Sequence, residues 1–159
     1  VRVRTEYADD SLSKLHGIIG GERATVKRIL VNLGNASLCS SWIHDAVCEA
    51  WAFEYAQRRL TLRISCDGNR SDAKSIIFEG VYAQHMVSCA FWGASPYIFG
   101  LELIEPASSE LYKQLMDEIV NAGYDDPFDR EHGACIEARL QFTSGDVLTV
   151  LCRQVMIEE

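Results

Sequence analysis

Apolar and polar residues alternate along the middle of the chain. From residue 60 to residue 66, apolar side chains occupy every second position and polar side chains fill the positions between them. A period of two is typical of a β-strand with one buried face and one solvated face. The preceding run places Trp51, Phe53 and Tyr55 at alternate positions, so the two segments predict a hairpin that turns at residues 56–59.

Further strands and one clear helix follow. Residues 76–81 and 97–103 have the apolar content of strands and are bounded by turn residues. A helix is predicted over Ser109–Ala122, because apolar side chains recur there three and four positions apart, serine can cap the start and Gly123 ends it. The apolar stripe of this helix is expected to pack on the sheet.

The two ends of the chain have less regular patterns. Residues 11–19 and 26–33 show helical spacing and are each followed by glycine, which favours two helices, although the aliphatic run inside the second segment also suits a strand. Residues 134–158 predict a final hairpin that turns at residues 144–146. The returning run, residues 147–157, is apolar at both parities and is therefore expected to be central or covered on both faces.

These elements predict one α+β domain, a twisted and mostly antiparallel sheet of about six strands with one long helix packed on a face. Its predicted parts are a helical N-terminal region (1–41), a strand-rich core (42–106), the helix (107–123) and the C-terminal hairpin (134–158).

Hydropathy and cysteine content favour a cytoplasmic protein without disulfides. The longest apolar runs are far shorter than the ~20 residues of a membrane helix, so no membrane segment is predicted. The six cysteines are scattered, and a chain of 159 residues is long enough to be stabilised by its own core. Free and mostly buried thiols are expected.

The charge is distributed unevenly. The chain has a net charge of −8, but residues 1–35 hold six basic and four acidic side chains, so the remainder holds nine basic and 19 acidic ones, a net charge of −10. A body of that sign repels phosphate backbones, which argues against nucleic-acid binding and favours a basic partner. The alternative is that the charge serves only solubility.

No motif in the chain specifies a reaction. Cys39, His44, Asp45 and Cys48 are close in sequence, but they lack the CxxC or HxxxH spacing of zinc sites. P-loop, dinucleotide-binding and nucleophile-loop patterns are also missing. We therefore predict no catalytic residue, no metal and no cofactor.

The aromatic residues allow an alternative function. Trp92 lies in an aromatic run before Pro96, where it either closes the core or contacts a partner or ligand. A pocket lined by Trp51, His85 and Trp92 would make the protein a small enzyme or a ligand-binding domain.

The densest acidic run directly follows the predicted helix. It lacks the residue order of a calcium loop, and it places Phe128, with Tyr124 nearby, as an apolar anchor among carboxylates. Such a combination suits contact with a basic protein, and a solvated loop is the alternative. The predicted partner-binding residues are Asp125, Asp126, Phe128, Asp129, Glu131 and Trp92.

Four segments, WIHDA, LTLRI, IIFEGV and FWGASPYIFGLELIEP, together resemble small bacterial immunity proteins of polymorphic and contact-dependent growth inhibition toxin systems. The resemblance covers residues 40–106. It implies a cytoplasmic inhibitor that binds one cognate toxin domain and has no catalytic residues. Since the acidic run lies outside it, the resemblance does not indicate which surface binds. An acidic body agrees with this function, because a negative surface accelerates the capture of a basic toxin.

Overall fold

Strands dominate the structure, a computed structural model that describes residues 26–66, 73–87, 97–125 and 135–159. Within these ranges the chain forms nine strands and two α-helices. In chain order they are β1 (Arg28–Val31), α1 (Ala36–Ile43), β2 (Val47–Glu54), β3 (Arg59–Ser65), β4 (Ala73–Glu79), β5 (Ala83–Val87), β6 (Ile98–Ile104), α2 (Glu110–Asn121), β7 (Ile136–Phe142), β8 (Val147–Cys152) and β9 (Gln154–Glu158).

The strands form two antiparallel sheets, so the predicted fold, a single sheet with one long helix on its face, is wrong. The first sheet has the order β1-β9-β4-β3-β2 and the second has the order β5-β8-β7-β6. The predicted C-terminal hairpin is also corrected, because its returning run is two strands. β8 ends at Cys152 in the second sheet, and β9 begins at Gln154 in the first.

Arg153 marks the position at which the chain passes from one sheet to the other. Its backbone N–H donates to the carbonyl of Glu79 at 3.0 Å, and its side chain lies over Gly80, whose φ is +62°. A Cβ at Gly80 would collide with the Arg153 side chain, which explains the glycine. β8 pairs with β5 and β7, and β9 pairs with β1 and β4. The prediction that this apolar run is central is therefore confirmed.

The hairpin predicted in the middle of the chain is present as β2 and β3. Their register runs from Val47 opposite Ser65 to Glu54 opposite Arg59. The alternation in β3 is also confirmed, since Leu60, Leu62 and Ile64 are at most 2% exposed. They belong to a core cluster to which both sheets contribute, so the inner faces of the two sheets pack on each other.

The helix predicted over residues 26–33 is wrong, because residues 28–31 form β1. Ile29 lies opposite Ile157 and Val31 lies opposite Val155, so β1 is an edge strand beside β9. β-Branched side chains pack well on a pleated surface, and a partner strand more than a hundred residues away decides the conformation. The other predicted N-terminal helix, at residues 11–19, lies outside the described residues.

α2 forms where the sequence predicted a helix, and it covers the outer face of the second sheet. Its side chains Leu111, Leu115 and Met116 pack against a small cluster that contains Leu151 of β8. The Ser109 side chain caps the helix by accepting a hydrogen bond from the backbone N–H of Tyr112 at 2.8 Å. None of the described helices has the length and apolar character needed to cross a membrane.

Candidate binding surface

Only one of the predicted partner-binding residues, Asp125, falls within the described part of the chain, where it is exposed just beyond α2. Asp126, Phe128, Asp129, Glu131 and Trp92 lie outside the described residues. The described part of the candidate partner-binding surface therefore consists of α2 and the four residues after it.

The exposed side of α2 is strongly acidic. Residues 97–125 contain six acidic side chains and one basic side chain, and all six acidic residues are exposed. Four of them, Glu110, Asp117, Glu118 and Asp125, lie on the exposed side of α2 or directly after it, and we call these four the acidic face. The whole of residues 97–159 holds 13 acidic and four basic side chains, whereas residues 1–96 hold ten and 11. The acidic charge of the protein is thus concentrated in its second part.

One lysine partly neutralises the start of the acidic face. The Lys113 ammonium lies 2.8 Å from a carboxylate oxygen of Glu110, and this hydrogen bond, together with the positive charge, lowers the pKa of Glu110. Farther along, the Gln114 amide donates to the Glu118 carboxylate at 3.3 Å. Because the side chains that donate to Glu110 and Glu118 are exposed to solvent, these contacts contribute little to stability. With a single lysine among its carboxylates, the acidic face keeps a net negative charge.

Two large apolar side chains stand among these charges. Val120 is 66% exposed and Tyr124 is 74% exposed, at positions four residues apart. The Tyr124 backbone N–H donates to the Ile119 carbonyl at 3.1 Å, and Gly123, with a φ of +73°, allows the chain to turn back in this way. An exposed aromatic side chain in an acidic stretch of the chain is the composition expected of a contact site for a basic protein.

A buried polar network attaches the start of α2 to the second sheet. The Ser109 hydroxyl donates a short hydrogen bond to one carboxylate oxygen of Glu137, and the Arg139 guanidinium donates to the other at 2.6 Å. Glu137 and Ser109 are both fully buried. Sequence reasoning missed Glu137, because it shares its parity in β7 with Arg139 and Gln141 and thus resembles a residue of a solvated face.

A recess of about 420 Å³ opens between the edge strands of the two sheets. Its lining residues are Trp51, Phe53, Leu60, Gln84, His85 and Met86. The predicted pocket paired Trp51 and His85 with Trp92, and the structure brings the first two to the same recess. Trp92 lies outside the described residues.

The residues weighed as a metal site do not converge. Cys39 is fully buried, whereas the His44 side chain is 46% exposed and lies 3.0 Å from the Asp45 carboxylate. Within the four described ranges, no group of three or more histidine, cysteine or acidic side chains could hold a metal ion.

Three thiols are expected to resist alkylation in the native protein. Burial raises the pKa of Cys39, of Cys48 and of Cys152, and for Cys152 the pKa rises to about 12. Because the thiolate is the reactive form, these thiols should react slowly with iodoacetamide at about pH 8 and rapidly after denaturation. The rate at Cys152 should stay low until the pH approaches its raised pKa or the protein unfolds. Mass spectrometry of each peptide measures this, and equal native and denatured rates at Cys152 would contradict it.

Comparison with protein-family models found no matching family, and a search of the curated proteins found no match.

Proposed function

We propose that the protein is a binding protein that neutralises a cognate bacterial toxin by direct contact, and that its acidic face receives a basic toxin domain. The observation that carries the proposal is the excess of exposed carboxylates on and around α2, with Val120 and Tyr124 exposed among them. The resemblance of residues 40–106 to immunity proteins supports the same class of function.

The two kinds of side chain on this surface would act at different stages of binding. Exposed carboxylates attract a basic partner over a Debye length of about 10 Å at 0.1 M salt and so raise the association rate. An aromatic anchor buried in the complex slows dissociation instead. The Ser109–Glu137–Arg139 network supports both stages, since it holds the start of α2 against the sheet before the partner arrives.

Three of the cysteine thiols are poorly suited to nucleophilic catalysis, which favours a binding function over cysteine catalysis. Raised pKa values keep Cys39, Cys48 and Cys152 protonated near neutral pH, and a protonated thiol is a poor nucleophile.

Charge reversal on α2 tests the proposal. Asp117→Lys should slow association with the toxin domain encoded in the adjacent gene by about threefold to tenfold at low salt, and the difference should shrink as salt is added. The matched control is Asp45→Lys, which makes the same change in net charge at a side chain that is 75% exposed and lies in the turn after α1. Tyr124→Ala should instead raise the dissociation rate, by about tenfold. Surface plasmon resonance at two salt concentrations gives all of these rates.

Equal association rates for the Asp117 and Asp45 variants would remove α2 from the interface. A toxin domain that neither binds the wild-type protein nor loses its toxicity when the two are co-expressed would contradict the function itself.

A ligand-binding domain, with or without enzymatic activity, is the second candidate, and the recess lined by Trp51 and His85 favours it. Its volume of about 420 Å³ lies within the range of about 300–1,000 Å³ found for small-molecule sites. In that case, small aromatic compounds should change the tryptophan fluorescence of the wild-type protein and not that of Trp51→Phe.

A further inference from the structure

We propose that a groove beside β1 binds a small aliphatic amine, whose hydrocarbon body lies along the apolar walls and whose ammonium group pairs with Glu105. All residues that line the groove belong to the described part of the chain. The proposal is independent of the acidic face and of the recess, since other residues form the groove.

The groove lies where separate segments of the chain meet. The end of β1 and the turn after it form one side, and a 3₁₀ turn (Pro106–Ser108) that precedes α2 contributes to the other. The start of β7 and the passage between the two sheets at Arg153 complete the lining. The volume of the groove is about 670 Å³, which lies within the range of about 300–1,000 Å³ found for small-molecule sites.

Aliphatic side chains form the walls of the groove. They are Leu30, Val31 and Leu33 on the side of β1, and Pro106, Ala107 and Ile136 on the other side. Val31 is 4% exposed, whereas Leu30 and Leu33 are 53% and 50% exposed, so the groove has a buried apolar floor and an exposed apolar rim. Its lining contains no aromatic ring, in contrast to the recess. A saturated hydrocarbon therefore fits it better than an aromatic compound, which gains from stacking on aromatic side chains.

Three polar residues of the lining direct their polar groups to other parts of the protein. The Asn32 side-chain oxygen accepts hydrogen bonds from two backbone N–H groups of the turn that follows, at 2.9 and 3.2 Å. The Gln154 amide donates to the Glu79 carboxylate at 2.5 Å. The Arg153 side chain lies over Gly80, which directly follows β4. Since β9 lies between β4 and β1, this side chain extends away from the β1 side of the groove.

Glu105 is the polar residue of the lining that is left for a ligand. Its side chain is exposed, and no described side chain forms a hydrogen bond or an ion pair with its carboxylate. Its backbone is held in place, because its carbonyl accepts a hydrogen bond from the Ser108 N–H at 2.9 Å. A carboxylate at the edge of an aliphatic groove matches a ligand that joins an ammonium group to a hydrocarbon body.

The charge of the protein favours a cationic ligand over an anionic one. Residues 97–159 hold 13 acidic and four basic side chains, so the field around Glu105 attracts cations and repels anions. A fatty acid would have the hydrocarbon body that the walls accept, but its carboxylate would meet the carboxylate of Glu105. The amine and the fatty acid of equal chain length therefore make a direct test of the assignment.

The probe is octylamine, compared with octanoate, which has a similar body and the opposite charge, and with ethylamine, which has the charge and almost no body. We expect octylamine to bind at least about tenfold more tightly than either, measured by isothermal titration calorimetry. Amide chemical shifts in NMR spectra should change at residues 30–34 and 105–107. Glu105→Gln removes the charge and keeps the shape, so it should weaken octylamine binding by about tenfold. Glu102→Gln, which removes the same charge from an exposed side chain of β6 outside the groove, should change the affinity by less than about twofold.

Leu33→Ala gives a second variant that shortens the apolar wall at a half-exposed side chain, and it should weaken the binding of octylamine but not that of ethylamine. No binding of octylamine, equal affinities for octylamine and octanoate, or equal effects of the two glutamine variants would overturn the proposal. Chemical shift changes confined to α2 would assign the amine to the acidic face, and a lysine-containing peptide that binds more tightly than octylamine would assign the groove to a protein partner; either result also overturns it. A toxin that binds normally to Glu105→Gln leaves the proposed function intact, so the two proposals fail separately.

Discussion

Replacing Glu137 with alanine is expected to lower the free energy of unfolding by about 3 kcal/mol, which is near the low end for breaking a buried ion pair. The carboxylate is fully buried and accepts hydrogen bonds from the Ser109 hydroxyl and the Arg139 guanidinium. Its removal leaves a buried hydroxyl and a charged group without their acceptor. The low end applies because the Arg139 side chain is 34% exposed and can turn to water. Urea unfolding followed by circular dichroism measures the change.

Glu102→Ala is the matched control for this experiment. Glu102 lies opposite Arg139 on the neighbouring strand, but it is exposed, so its loss should change stability by less than about 0.5 kcal/mol. Ser109→Ala should have an intermediate effect of about 1–2 kcal/mol, as expected for a lost helix cap. Equal effects of the Glu137 and Glu102 variants would show that the network does not anchor α2.

Phe78→Ala is expected to destabilise the protein by about 3–5 kcal/mol. Phe78 is fully buried in the middle of the first sheet, between Leu60 of β3 and Val155 of β9. Truncation to alanine removes most of the side chain from a core to which both sheets contribute, so the loss of burial is increased by a cavity. The midpoint of urea unfolding should fall accordingly.

Tyr55→Ala provides the comparison, because it removes another large aromatic side chain, one that is 85% exposed. Its effect should stay below about 0.5 kcal/mol. A decrease of less than about 1 kcal/mol in the free energy of unfolding for Phe78→Ala would contradict the packing of the two sheets, since truncation of a well-packed phenylalanine has a larger effect.

Local sequence patterns were sufficient to predict the elements whose packing partners or end signals are close in sequence. β2 and β3 are adjacent and joined by a tight turn, so alternation in each segment specified both the strands and their pairing. α2 likewise carries its own cap in Ser109 and its own stop in Gly123.

The elements that the sequence did not reveal depend on distant partners. In β1, the spacing of apolar residues suits a helix, and only the pairing of Ile29 with Ile157 makes it a strand. At Arg153 no proline or glycine marks the passage between sheets, and the glycine that makes room for it, Gly80, lies in another part of the chain. A period of two cannot show that one apolar run belongs to two sheets.

The candidate surface was predictable only in part. The density of acidic residues after α2 pointed to Asp125, and the structure shows exposed side chains at Asp117, Glu118, Val120 and Tyr124 in the last turns of the helix and directly after it. Trp51 and His85 were predicted to share a pocket, and both line the recess. Glu137 could not be recognised, because its burial is produced by the packing of α2 over β7 and β8 and not by its neighbours in sequence.

The passage of the chain at Arg153 has a consequence for the order of events during synthesis. β8 is an interior strand of one sheet and β9 is an interior strand of the other, so neither sheet can close before residues 147–158 have left the ribosome. Until then β1 lacks its only partner among the described strands, and β5 is separated from β7. The nascent chain can form the local β2–β3–β4 meander early, but the two-sheet core assembles only after translation of its last strands.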